Sequence, residues 1–233
     1  MPEPYHLVVS CEHAGNEIPP RYRTLFDSDA ARRALAGHRG WDPGSAAIAA
    51  VLARECDAPL VAQRVSRLLV ECNRSLGHRA LWSEFSRRLT EQEKTGVLDR
   101  YWHAHRNAVR RLVDRAPEGA TVVHVGVHTF TPVWKERPRA TDIGLLFDPR
   151  RTRERDIAGQ WRRGLARAFA TEGLRVHLNL PYRGWTDGLT TTLREQHPED
   201  RYVGLELEVS QRLVPLPAEA ASRLAAALRS SLV

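Results

Sequence analysis

Residues 121–127 read TVVHVGV, and the reading of this short stretch decides the fold class. Five of its seven residues are β-branched and none is Asp, Glu, Lys or Arg. A strand with one face in water alternates apolar and polar side chains. This stretch is mostly apolar throughout, the pattern of a strand covered on both faces in a largely parallel sheet. With Ala120 it predicts a strand over 120–127. Outward from it, short apolar runs predict strands at 5–10, 59–63, 68–72, 143–148, 175–179 and 203–209. Helical spacing predicts helices at 42–56, 90–116, 152–172 and 216–231. The first of these has a start signal, with Asp42 as N-cap and Pro43 at the first helical position. The helix at 152 carries Ile157, Trp161, Leu165, Ala168 and Phe169 on one stripe. Strands alternating with helices indicate an α/β fold, a mixed, largely parallel sheet flanked by helices. No repeat, linker or low-complexity segment divides the chain, so a single domain over 1–233 is expected.

Bulk properties exclude several function classes. No apolar run approaches the ~18 to 20 residues that a membrane helix needs. The amino-terminal MPEPYH has no basic region followed by an apolar core, so no secretory signal is expected. Cys11, Cys56 and Cys72 are odd in number and form no C-x-x-C, which favours free thiols and a reducing cytoplasm over a disulfide framework. Each lies in or beside an apolar segment, where a small buried thiol is the plainer reading than a nucleophile. The formal charge is +7, but only Lys94 and Lys135 are lysines, and the arginines are spread and interleaved with acids, as in RRTRERD. A nucleic-acid binder more often shows a basic stripe with aromatics between the charges, so no nucleic-acid partner is expected.

Chemically capable residues collect at the ends of the predicted strands. His13 follows the first strand, within SCEHAGNEIPP at 10–20. His128 follows TVVHVGV, Asn73 and Arg74 follow RLLVEC, and Glu208 ends YVGLELEV. In open α/β sheets, ligands bind outside the carboxyl ends of strands. Two histidines and one carboxylate make a three-ligand zinc site with a position left for water. Such an ion activates water and polarises a carbonyl. A nearby carboxylate serves as general base, for which Glu208 is a candidate. One arginine can stabilise an oxyanion and another can grip a carboxylate in bidentate fashion; Arg67 and Arg74 are available.

The segments SCEHAGNEIP, GWDPGSA, VSRLLVECNR, YWHAHRNAV, HVGVHTFTPVWKERPRATDIGLLFD, NLPYRGWTDG and LELEVSQRL occur in this order and span nearly the whole chain. Together they resemble the N-formylglutamate amidohydrolase family, which is similar in turn to the zinc carboxypeptidases, with their phosphorylase/hydrolase-like fold. The resemblance implies a metal-dependent amidohydrolase acting on N-formyl-L-glutamate or a related small N-acyl amino acid. It implies zinc or another divalent metal on His13 and His128, Asn73 and Arg74 at the substrate carboxylate, Arg67 near the scissile carbonyl, and Glu208 as base. Asp42 matches an aspartate shared by the family and is favoured as third ligand; Glu17, four residues after His13, is the rival. Glu71 stands where the family usually has aspartate, and Thr129 where serine is common.

Each assignment has a plainer alternative. Asp42 could serve only as a helix cap. His105 is taken with the substrate-binding residues, yet it could sit behind the site or in the core. Tyr182, in a turn after a strand, faces either substrate or packing. Glu206 and Glu208 alternate with leucines and share a face, so one of them could be merely solvated. His124 is expected to be a hydrogen-bonded core histidine. A non-catalytic binding protein that retains the fold is the competing function; it would be favoured by a missing ligand or base, and none is missing.

Overall fold

The computed structural model describes residues 5–232; residues 1–4, read above for a leader, and residue 233 lie outside the described residues. In chain order the elements are β1 (Tyr5–Cys11), a 3-10 turn (Pro20–Phe26), α1 (Asp29–Ala36), α2 (Ser45–Glu55) and β2 (Leu60–Ala62). Then come α3 (Glu91–Val97), a wide π-type turn (Leu98–His103) and α4 (Ala104–Asp114). They are followed by β3 (Thr121–Phe130), a hairpin of β4 (Val133–Trp134) and β5 (Arg137–Pro138), β6 (Ile143–Leu146) and α5 (Thr152–Ala168). The chain continues with β7 (Val176–Leu178), α6 (Leu189–Gln196), β8 (Tyr202–Ser210), a 3-10 turn (Gln211–Leu213) and α7 (Ala218–Arg229).

The main sheet has the order β2-β1-β3-β8-β6-β7, and every pair is parallel except β6 with β8. The expected mixed, largely parallel sheet is the one observed. β3 lies in its interior between β1 and β8, and all ten of its residues are buried. Val122, Val123, Val125 and Val127 are fully enclosed, each contributing about 1.5–3 kcal/mol by burial. His124 shares that strand because its ring is satisfied on both sides, by Ser10 Oγ at 2.7 Å and the Tyr202 hydroxyl at 2.8 Å. Burial pulls its pKa down to about 4, so it is a neutral core histidine, as expected. On one face α2, α5 and α7 pack over the sheet around Trp161, Leu165 and Leu224; α4 and α6 cover the other around Val109, Val113 and Leu193.

The differences from the sequence reading have local causes. The expected strand at 68–72 is a chain of turns, held by bonds such as Leu69 N–H to Ser66 O and Glu71 N–H to Leu81 O. Its apolar residues Leu68, Leu69, Val70 and Cys72 pack in a separate cluster with Tyr22, Phe26 and Trp102, so continuous burial there reflects a covered loop. The helix expected from residue 42 begins at Ser45, after Gly44 at φ 84°, a left-handed conformation that glycine adopts without strain. Asp42 is therefore not its N-cap. The expected helix at 90–116 is interrupted by the π-type turn, and α1, α6 and the β4–β5 hairpin were not anticipated.

Two glycines allow the 179–188 loop to lie directly on β6. A Cβ at Gly144 would stand 2.0 Å from the Leu180 carbonyl oxygen, and one at Gly184 would stand 2.1 Å from the Phe147 nitrogen. This close approach brings Tyr182 and Asp187 over the carboxyl end of the sheet.

Candidate active site

The chain leaves β1 toward β2 on one side and later returns to β3 on the other side of β1. The reversal of order between β1 and β3 opens a crevice at their carboxyl ends. His13 lies two residues past β1, and His128 lies near the end of β3, opposite Glu208 on β8. All three are buried. A cavity of about 320 Å³ opens over them, with Asp42, Arg67, Asn73, Arg74 and Tyr182 in its wall.

At its floor, His13 Nδ1 and His128 Nδ1 are 3.2 Å apart, and Asp42 Oδ2 is 3.1 Å from each. Backbone tethers bring Asp42 there. Its N–H donates to the His13 carbonyl at 3.0 Å, and the Thr129 hydroxyl donates to the Pro43 carbonyl at 2.8 Å. The carboxylate also accepts from Arg67 Nη1 at 3.2 Å. Burial alone would raise the pKa of Asp42; His13, His128 and Arg67 instead hold it far below the usual carboxylate range. Three lone-pair atoms within bonding distance of one another repel unless a proton or a cation lies between them. Two imidazole nitrogens and one carboxylate oxygen are the donor set that zinc prefers, so the residues fit the metal that the fold family implies.

The far side of each ring meets a second carboxylate. His13 Nε2 is 2.5 Å from Glu71 Oε1, and His128 Nε2 lies at ion-pair distance, 3.2 Å, from Glu12 Oε2. Such outer carboxylates orient a ligating ring and raise its basicity. Burial lowers the pKa of His128, but Asp42 and Glu12 outweigh it and hold the ring well above its ordinary value. Glu71 also accepts from Arg67 Nε at 2.6 Å and from the Asn73 backbone at 2.9 Å. His105 Nε2 stands 3.2 Å from the other oxygen of Glu12. His105, expected among the substrate-binding residues, is buried on α4 behind Glu12 and does not line the cavity.

Glu208 differs from the other carboxylates. It is 5% exposed, and its Oε2 has no hydrogen-bond partner. Burial pushes its pKa up to about 8, partly offset by His128. Glu206 is also in the cavity wall, but its Oε1 accepts from the Thr190 hydroxyl at 3.0 Å. Asn73 Oδ1 accepts from the Leu189 backbone at 2.8 Å, which leaves its NH2 end as a donor. Arg74 Nη1 donates to the carbonyls of Asn73 and Asp187, both at 2.8 Å, leaving its Nε–Nη2 edge. The Tyr182 hydroxyl accepts from Arg139 at 3.0 Å.

Glu17 lies elsewhere, in an exposed pair with Arg64 at 2.6 Å. Asp42→Asn is therefore expected to weaken metal binding at least about tenfold, and Glu17→Gln to leave it near the parent value, in a metal titration of both variants. The reverse order would move the third ligand into the opening loop. The sequence reading gave neither Glu12 nor Glu71 a role. The signals were present: an acid adjoining His13, and another inside the apolar run LLVEC, where an unpaired charge is costly.

A sequence profile of FGase, N-formylglutamate amidohydrolase, matches residues 5–214. Among solved structures, the gene product Atu2144 from Agrobacterium tumefaciens is similar at 29% identity with a TM-score of 0.77, over 97% of this chain and 88% of that one. An N-formylglutamate amidohydrolase from Ralstonia eutropha JMP134 is similar at 19% identity with a TM-score of 0.63, over 99% of this chain and 91% of that one. No curated protein sequence matches the chain. With the profile running from β1 to beyond β8, and with a similar fold in both structures, the chain belongs to the N-formylglutamate amidohydrolase family and is a hydrolase of amide bonds.

Proposed function

We propose that the chain is a zinc-dependent amidohydrolase cleaving N-formyl-L-glutamate or a related N-acyl amino acid, working as one domain in the cytoplasm. The observation that carries this reading is the convergence of His13 Nδ1, His128 Nδ1 and Asp42 Oδ2 beneath a cavity that also holds an unpartnered carboxyl, Glu208. His13, Asp42 and His128 would hold the ion. The chemistry zinc supplies when bound is Lewis acidity, which activates water near neutral pH and polarises a carbonyl. Glu208 Oε2 takes the proton from the attacking water and returns it to the departing amine. Arg67 is fixed in the cavity wall by Asp42 and Glu71, where its guanidinium would stabilise charge developing on the carbonyl oxygen. Asn73 and Arg74 grip the substrate carboxylate. The thiols suit a reducing compartment: Cys11 and Cys72 are buried and unpaired, and burial raises the Cys11 pKa to about 12.

Purified protein should carry one zinc per chain and release formate from N-formyl-L-glutamate. A chelator should abolish release and added zinc restore it. Stoichiometric zinc without hydrolysis of any N-acyl amino acid would favour a binding protein instead.

Arg74→Lys keeps the charge but cannot bond two carbonyls through one nitrogen while presenting a planar two-donor edge. KM for the free acid should rise about 10- to 100-fold, the worth of a charged hydrogen bond. Substrates with an amidated α-carboxylate should show little change. Equal losses on acid and amide would argue against a carboxylate clamp.

A further inference from the structure

Among the described residues, seven large apolar side chains are exposed, and five of them fall in two segments flanking the cavity: Val133 and Trp134 on the β4–β5 hairpin, and Leu180, Tyr182 and Trp185 in the 179–188 loop. Large apolar side chains left in water together mark a binding surface, whereas scattered ones need no explanation. Here the surface continues into the site, because the rings of Phe130, Trp134 and Tyr182 form part of the cavity wall. The wall is also built. The Arg139 guanidinium lies over all three rings, 5.4 Å from the centroids of Phe130 and Trp134 and 5.0 Å from that of Tyr182, and it donates to the Tyr182 hydroxyl. One arginine therefore ties the hairpin to the loop and fixes the rings' spacing.

Resting on the amidohydrolase reading above, we infer that this aromatic wall is a subsite for the acyl group, and that the preferred substrate carries an acyl group larger and more apolar than formyl. Asn73 and Arg74, assigned to the amino-acid half, offer that half hydrogen bonds and charge rather than apolar area. Water activation and proton transfer occupy the floor. The half of the substrate left for the rings is the acyl half. A formyl group has a single carbon and offers almost no apolar area to bury. An acyl chain or a benzoyl ring lying on Trp134 and Tyr182 removes apolar area of both partners from water.

The test is kcat/KM across the N-formyl, N-acetyl, N-butanoyl, N-hexanoyl and N-benzoyl derivatives of glutamate. Values should rise by about threefold for each methylene buried, giving at least a tenfold advantage of hexanoyl or benzoyl over formyl. In Trp134→Ala, the loss on hexanoyl and benzoyl should exceed the loss on formyl by at least fivefold, and Trp134→Phe should restore most of the difference. Trp134 is half exposed on a hairpin, so its removal should spare the fold. A series that is cleaved but flat, or that favours formyl, overturns the subsite and leaves the rings to some other occupant; so does a Trp134→Ala variant that loses equally on every member. If no member is cleaved by zinc-loaded protein, the amidohydrolase reading fails and the subsite with it.

Discussion

Glu208→Gln is expected to keep the fold, the metal and substrate affinity, and to cut turnover by roughly 10²- to 10⁴-fold, the usual contribution of a positioned acid–base group. The expectation rests on environment. Asp42, Glu71 and Glu12 are each held ionised by cationic or imidazole partners, which makes them poor proton carriers at neutral pH. Glu208 is enclosed, has one oxygen without a partner, and is raised to about 8 chiefly by burial. It is the carboxyl in the cavity wall poised to exchange a proton near the working pH. Glutamine keeps its shape and removes only that capacity. Glu206→Gln is the control: its oxygen bonds the Thr190 hydroxyl, a contact that an amide oxygen can keep, and its loss should be much smaller. A Glu208→Gln enzyme turning over at the parent rate would remove the mechanism.

The same substitution has a second readout, in stability. A carboxyl whose folded pKa lies above its ordinary 4.5 binds its proton more tightly folded than unfolded. Stability is then lost as pH climbs from about 4.5 to about 8, and levels off above. Stripped of metal, Glu208→Gln should be the more stable protein at pH 8, by on the order of a few kcal/mol, with the gap shrinking toward pH 5. Denaturant titrations at the two pH values read this directly. A gap that does not depend on pH would mean that Glu208 ionises at an ordinary pKa.

The sheet could be read from the sequence because burial on both faces leaves an unmistakable trace: TVVHVGV cannot alternate if helices cover both sides. The same logic misled at 68–72. A loop enclosed by Tyr22, Phe26 and Trp102 is as apolar as a central strand, and periodicity cannot separate the two. His13, His128 and Glu208 were legible because strand ends are where parallel sheets place ligands. Asp42 was favoured as third ligand through the family resemblance, while its N-cap reading failed: the signal was real in pattern, but Gly44 broke the backbone before the helix began. His105 could not be placed, since its partner Glu12 is 93 residues away and nothing local pairs them. The aromatic wall was invisible for the same reason. Phe130, Trp134 and Arg139 gather around the hairpin, and Tyr182 joins them from the 179–188 loop, which is laid on β6 through Gly144 and Gly184.

Replacing His13 or His128 should have the largest effect on metal binding. In His13→Ala and His128→Ala the three converging atoms become two, and zinc affinity should fall by more than the roughly 100-fold upper range seen when only an outer partner is lost. Glu12→Gln and Glu71→Gln supply that comparison. Each removes an outer carboxylate and leaves the ligating atoms, so each should weaken zinc by about 10- to 100-fold. The order of the two classes is the test, because a merely structural cluster has no reason to rank its members this way. Folding could confuse the result, since alanine at His13 leaves Asp42 and Glu71 buried beside fewer partners. His128→Asn keeps a polar side chain against Asp42 and should still lose zinc. Metal content is measured on the folded fraction after dialysis against a weak chelator. Stoichiometric zinc in both alanine variants would place the ion elsewhere, and the convergence of His13, Asp42 and His128 would then be only a buried proton-sharing cluster at the floor of the cavity.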